Sequence, residues 1–157
     1  MQSKTNNLLN IASELCEDGK FVDALKCYDE ILNTEPNSTK ANIDKGVTLQ
    51  NLEHISQAIQ MYKNVLNIEP ENIDALINMG SALHTLGKYT DAISYYNIVL
   101  RLDKKNILAL TYKGLSLGES GDISMAIKYF TKALSIDCDY DLAQISLNTA
   151  KKFMRSN

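Results

Sequence analysis

Apolar side chains recur along this chain at spacings of three and four, the mark of amphipathic helices, and the whole pattern returns every 34 residues. The stretch 73–106, IDALINMGSALHTLGKYTDAISYYNIVLRLDKKN, shifted by one period meets 107–140; shifted backwards it meets 39–72 and then 5–38. Self-similarity at a fixed period of this length predicts stacked units, each burying an apolar face on its neighbours. Each unit reads as two helices. The first covers roughly 5–18, 39–52, 73–86 and 107–120; the second covers 21–34, 55–68, 89–102 and 123–136. Nine helices and no strand are expected, the ninth over 141–155.

The columns of the repeat say where helices meet. In the second helices Ala24, Ala58, Ala92 and Ala126 share one position, followed four residues later by Tyr28, Tyr62, Tyr96 and Phe130. A fixed Ala marks a close approach that only a small side chain fits, and the aromatic beside it fills the wider gap. In the first helices Ala12, Gly46, Gly80 and Gly114 mark a second close approach, with Leu15, Leu49, Leu83 and Leu117 three residues on. Glycine inside a helix costs about 1 kcal/mol against alanine, so three in register need a packing reason. Gly19, Gly87 and Gly121 fall where the first helix must stop in a left-handed conformation, and repeat two puts Glu53 there. Asp23, Ser56 and Asp91 are expected to contribute to the polar starts of the second helices. Pro36 and Pro70 close the first two repeats, whereas Lys104 and Cys138 stand at those places in the last two. In the tail, Ala143, Leu147, Ala150 and Met154 form a stripe that covers the end of repeat four, with Gln144, Asn148, Lys151, Lys152 and Arg155 facing water.

Composition adds exclusions. The formal charge is −3, divided unevenly: residues 1–72 carry 6 Lys/Arg against 11 Asp/Glu, and 73–157 carry 10 against 8. No concentrated basic face is legible, so a nucleic-acid partner is not expected. Cys16, Cys27 and Cys138 lack metal-ligand spacing and read as reduced thiols. With no signal-like start and no membrane-length apolar run, a soluble cytoplasmic protein is expected.

These columns resemble the tetratricopeptide repeat (TPR) family: Leu76, Met79-Gly80, Leu83, Ala92 and Tyr96 in repeat three, and Leu110, Gly114, Leu117, Ala126 and Phe130 in repeat four. Repeat one supplies Leu8, Ala12, Leu15, Ala24, Tyr28 and Pro36. Repeat two supplies Gly46, Leu49, Ala58, Tyr62 and Pro70 but has Asn42 where a large apolar residue belongs and Glu53 for the turn glycine, so it is expected to be the weakest repeat and to open faster than repeat three. The resemblance implies an all-α fold, a right-handed α-solenoid of four helix-turn-helix repeats (5–38, 39–72, 73–106, 107–140) plus a C-terminal capping helix, forming one domain over 5–157. It further implies a non-catalytic scaffold that binds a peptide or helix of a protein partner in a concave groove lined by the first helices. The family's two-carboxylate clamp for chaperone tails would need Lys, Asn, Asn, Lys and Arg at five groove places. Those places hold Leu9, Ser13, Asp44, Asp74 and Asn78 in one register and Ile43, Val47, Asn78, Leu108 and Tyr112 in the next, so the clamp is absent.

The groove positions instead carry Leu9, Ile43, Val47, Ile77 and Leu115, thickened at the C-terminal end by Leu108, Tyr112, Leu142 and Ile145, and interleaved with Asp44, Asp74, Asn78, Ser81, His84, Glu17 and Glu119. An apolar groove with a partly acidic wall suits an amphipathic peptide bearing a basic residue. Packing between neighbouring first helices is the competing reading for the fifth-position row of Leu9, Ile43 and Ile77. No catalytic, metal or cofactor constellation emerges. His84 and Cys16 share a helix position but lie two repeats apart, far beyond the ~3 Å reach that such chemistry needs. Cys16 and Cys27 read as small buried hydrophobes. Lys45 and Lys113 replace the apolar Ile11 and Met79 of their column, where stems pack and heads snorkel. The alternative to groove binding is self-association through an apolar C-terminal end of Leu142, Ile145 and Phe153.

Overall fold

A computed structural model describes residues 2–156, with side chains from residue 4. The described residues form nine α-helices and no strand: α1 (Gln2–Glu17), α2 (Phe21–Thr34), α3 (Thr39–Asn51), α4 (Ile55–Ile68), α5 (Ile73–Thr85), α6 (Tyr89–Leu102), α7 (Ile107–Glu119), α8 (Ile123–Ile136) and α9 (Asp141–Ser156). The sequence reading places every one of these to within a few residues.

The chain divides into two compact units, Met1–Asn78 and Met79–Asn157. In the first, α1 packs on α2, α2 on α3, and α3 on α4. In the second, α6 packs on α7, α7 on α8, and α9 on both α8 and α7. Ala24, Ala58, Ala92 and Ala126 are all fully buried, and Tyr28, Tyr62, Tyr96 and Phe130 are buried beside them. The reason for the first-helix glycines is visible in the same layer. A Cβ on Gly46 would run into the Tyr62 ring, one on Gly80 would stand 2.5 Å from Tyr96, and one on Gly114 2.6 Å from Phe130. Tyr62, Tyr96 and Phe130 thus each press against a bare glycine of their own first helix.

The turns divide by unit. After α2 and α4 a glutamate accepts a hydroxyl from the start of the same repeat: Thr5 Oγ1 donates to Glu35 at 2.5 Å and Thr39 Oγ1 to Glu69 at 2.6 Å. Asn72 adds a bond to Glu69, and these hydroxyl and amide donors hold its carboxyl below the usual range. After α6 and α8 an aspartate closes its own turn instead, Asp103 accepting from the Lys105 N–H and Asp137 from the Asp139 N–H. Helix starts correct one expectation. The N-cap residues of α2, α4 and α6 are Lys20, His54 and Lys88, none with a side-chain cap bond, while Asp122 caps α8 by accepting from the Met125 N–H. Asp23 and Asp91 lie in the first turns of α2 and α6 without capping them, and Asp23 pairs with Lys26. The side-chain caps of first helices are Asn72 and Asn106, which accept from Ala75 and Ala109 N–H groups at 2.9 Å.

Asn42, expected to weaken repeat two, is a packed polar residue. It is 1% exposed; its amide donates to the Pro36 and Ser38 carbonyls, and its oxygen accepts from Asn64. It ties the preceding turn to α3 and α4 at a place where a leucine would only fill space.

Candidate functional site

Of the residues expected to line the groove, all but Ile77 keep some exposure to solvent. In the first unit Leu9 and Ile43 are half-buried, and Val47 is exposed. Asp74 is exposed, Asn78 half-buried, and Asp44 receives Lys40 at 2.9 Å. Ile77, by contrast, is 6% exposed and belongs to the core, so it offers no surface to a ligand. In the second unit Ser81, His84, Tyr112 and Leu115 are half-buried and Leu108 is exposed. The fifth-position row is therefore partly packing: Ile77 and its repeat-four counterpart Thr111 are buried, the Thr111 hydroxyl without a hydrogen bond. Ile145, at the same place on α9, is 63% exposed.

Polar rungs tie adjacent first helices along this side. In the first unit Cys16 Sγ lies 3.4 Å from Thr48 Oγ1 and 3.9 Å from the Tyr28 hydroxyl. In the second, His84 Nδ1 lies 2.8 Å from Ser116 Oγ, and its ring meets the edge of Tyr89. Both rungs join residues 32 apart. His84 and Cys16 thus each have local partners, as their separation in sequence requires. Burial lowers the His84 pKa, partly opposed by Glu119, so the ring is neutral at pH 7. The hydroxyls of Tyr28 and Tyr62 meet Cys16 and Gln50, which share the helix position of His84. Tyr62 donates to Gln50 Oε1 at 2.5 Å, and burial raises the pKa of Tyr28, Tyr62 and Tyr96, keeping all three protonated. Cys27 is likewise pushed up by burial, then by Glu30 and Asp23, which makes it a poor nucleophile.

Repeat four breaks this pattern in two linked ways. The aromatic is Phe130, with no hydroxyl, and the residue that would answer it is Gly118. Removing both leaves an apolar cleft of about 380 Å3 between α7 and α9, floored by Ala126 and Phe130. Leu115, Ile145 and Phe153 wall it, and Glu119 stands at its edge. Sequence reading names Leu115 and Ile145 for the groove, Ile145 also for the self-association end, and assigns Phe153 to that end alone. The register of Phe153 on α9 matches that of Glu119 on α7, which was the available signal. The same helix also exposes Gln144, Asn148, Lys151 and Lys152, with Gln144 donating to Asn148, so polar groups stand beside the exposed Leu142, Ile145 and Phe153. Among the described residues no group of His, Cys, Asp and Glu could hold a metal ion, and no helix is long and apolar enough to cross a membrane.

Two family models, each described as tetratricopeptide repeat, match residues 52–111 and 109–140, together more than half of the chain. The chain belongs to the tetratricopeptide repeat family. Solved structures of other TPR chains share its fold, which is all-α and of the solenoid class. MamA (residues 41 to the end) from Desulfovibrio magneticus RS-1 is 20% identical, with a TM-score of 0.76 over 98% of this chain and 97% of that one. TTC0263, a thermophilic TPR protein in Thermus thermophilus, is 17% identical, with a TM-score of 0.84 over 96% and 82%. YrrB, a TPR protein with an unusual peptide-binding site, is 21% identical, with a TM-score of 0.71 over 94% and 76%. No curated protein sequence matches the chain.

Proposed function

We propose that this TPR chain is a non-catalytic interaction module of the cytoplasm that takes up an amphipathic peptide or helix of a protein partner on its first-helix side. The observation that carries this reading is the α7–α9 cleft, where Leu115, Phe130, Ile145 and Phe153 form an apolar trough edged by Glu119. Apolar surface left open to water is unfavourable, and a partner's apolar stripe laid on it recovers that free energy. Glu119 suits a basic residue beside that stripe. The fold likeness to YrrB, whose described peptide-binding site belongs to that protein, supports a peptide as the class of ligand. Leu108 and Val47, both exposed, extend the same chemistry along the first helices of their own units.

Ile145 is a cleaner probe of this surface than Ile77, because its exposure lets a charge be placed there without opening the core. Peptides selected on the intact protein from a random library should bind Ile145→Asp about tenfold more weakly, the loss of one buried apolar side chain. Circular dichroism should be unchanged. Selected peptides that bind the folded variant at unaltered affinity would place the site elsewhere. Self-association is the second reading, and the exposed Leu142, Ile145 and Phe153 are its motive. Light scattering across a concentration series separates the two: a wild-type dimer that Ile145→Asp dissociates favours self-association, and a strict monomer removes it.

A further inference from the structure

On the opposite side of the second unit, formed by second helices, lies a larger and wholly different cleft. It has a volume of about 720 Å3 and runs between α6 and α8 over α7. Arg101, Lys104, Lys113 and Lys132 line it together with Ser94, Asn97 and Tyr129, and no carboxylate does. The repeat itself supplies the comparison that makes this unusual. In the first unit the matching lysine, Lys45, ends on the Asp29 carboxylate at 2.5 Å. In the second unit Lys113 reaches the same place sixteen residues back and finds a neutral amide, Asn97 Oδ1, at 2.6 Å. One ion pair has become a cation held by neutral partners.

The surroundings increase the imbalance. Lys113 Nζ also donates to the Tyr129 hydroxyl at 2.5 Å and lies 4.1 Å from that ring's centroid. Lys132 Nζ stands 5.1 Å from the same centroid, so one ring gathers two ammonium groups. The hydrogen bonds also fix which way the polar groups offer themselves. Asn97 spends its oxygen on Lys113 and keeps its amide N–H groups. Tyr129 accepts from Lys113 and keeps its own hydroxyl hydrogen. Ser94 spends its hydrogen on the Thr90 carbonyl, but every charged group in the lining can only donate. A cleft of donors and cations with no acid fits an acceptor-only, multiply charged ligand.

From this arrangement we infer that the α6–α8 cleft is a binding site for a phosphate group. Arg101 offers a planar fork and the three lysines point charges, the two forms in which proteins hold phosphate oxygens. The volume far exceeds one phosphate and leaves room for the body that carries it. The test uses the full chain, calorimetry at low salt, and two probes: inorganic pyrophosphate, and a short peptide with one phosphoserine beside its unphosphorylated form. Saturable one-to-one binding is expected. The decisive variant is Asn97→Asp, which gives Lys113 the internal partner Lys45 already has. It should weaken binding about tenfold while leaving the thermal midpoint unchanged or raised, because it adds an ion pair to an exposed position. Lys132→Gln should weaken binding similarly, and Lys151→Gln, on the exposed face of α9, should not. A phosphopeptide that binds more tightly than pyrophosphate assigns the cleft to a protein-borne phosphate, and equal binding assigns it to a free one. No saturable binding of either probe, unaltered binding by folded Asn97→Asp, or an equal loss in Lys151→Gln would each overturn the proposal.

Discussion

A single methyl group distinguishes repeat one from the other three at the centre of its helix pair. Ala12 is fully buried where Gly46, Gly80 and Gly114 accept an aromatic ring on bare backbone. The Tyr28 hydroxyl lies near Cys16 and that of Tyr62 bonds Gln50, one period on, so both rings reach the same place along their first helices. This sets two opposing terms for Gly114→Ala. Helix propensity favours the change by about 1 kcal/mol. Forcing a Cβ to within 2.6 Å of the buried Phe130 ring makes the ring or the helix shift, which costs about 1–3 kcal/mol. The variant should lose stability in urea unfolding despite its better helix former, and a gain would show that the ring moves freely. The glycine column was legible from sequence because it repeats. The roles of Asn42 and Lys113 were not, because each depends on a partner sixteen or more residues away that only folding identifies: Asn64 for one, Asn97 and Tyr129 for the other.

At the scale of elements, the turn from first to second helix is nearly the same four times, and one residue is out of place. Gly19, Gly87 and Gly121 take positive φ there; Glu53, at φ 61°, is the one positive-φ residue other than glycine among the described residues. A side chain in that conformation costs about 1 kcal/mol, which Glu53→Gly should recover even against the looser unfolded chain. For a chain of this length the melting midpoint should rise by about 2–4 °C, measured by circular dichroism. An unchanged or lowered midpoint would mean that Glu53 makes compensating contacts. The expectation that repeat two opens first now rests on this turn alone, since the Asn42 network holds its first helix. Helix positions were readable throughout, because periodicity and punctuation agree. Cap identity was less so: Asn72 and Asn106 sit outside the amphipathic pattern that drew attention to the helices. The α7–α9 cleft was hidden for a related reason, as Gly118 and Phe130 are each ordinary and only their absent hydrogen bond is informative.

At the scale of the whole molecule, charge and covering are distributed unequally. All five ion pairs among the described residues lie within Met1–Asn78, and the second unit carries its excess cations unpaired. The second unit also depends on a helix that completes no repeat. On α9, Ala143 joins Leu110 and Ala133, while Leu147 and Ala150 join Ala126 and Phe130. Its exposed side carries Gln144, Asn148, Lys151 and Lys152, polar groups suited to the end of a stack. Deleting residues 141–157 removes that cover. Burial of Leu147 and of the two alanines beside it, Ala143 and Ala150, is worth about 3 kcal/mol, and its loss should lower the thermal midpoint by several degrees. The same deletion leaves Phe130 and Leu110 facing water, where they should drive association visible in light scattering at concentrations that keep the intact chain dispersed. Both effects must appear together, since one apolar surface causes both. A truncated chain that stays monomeric and melts at the original temperature would mean that α8 closes the stack without help.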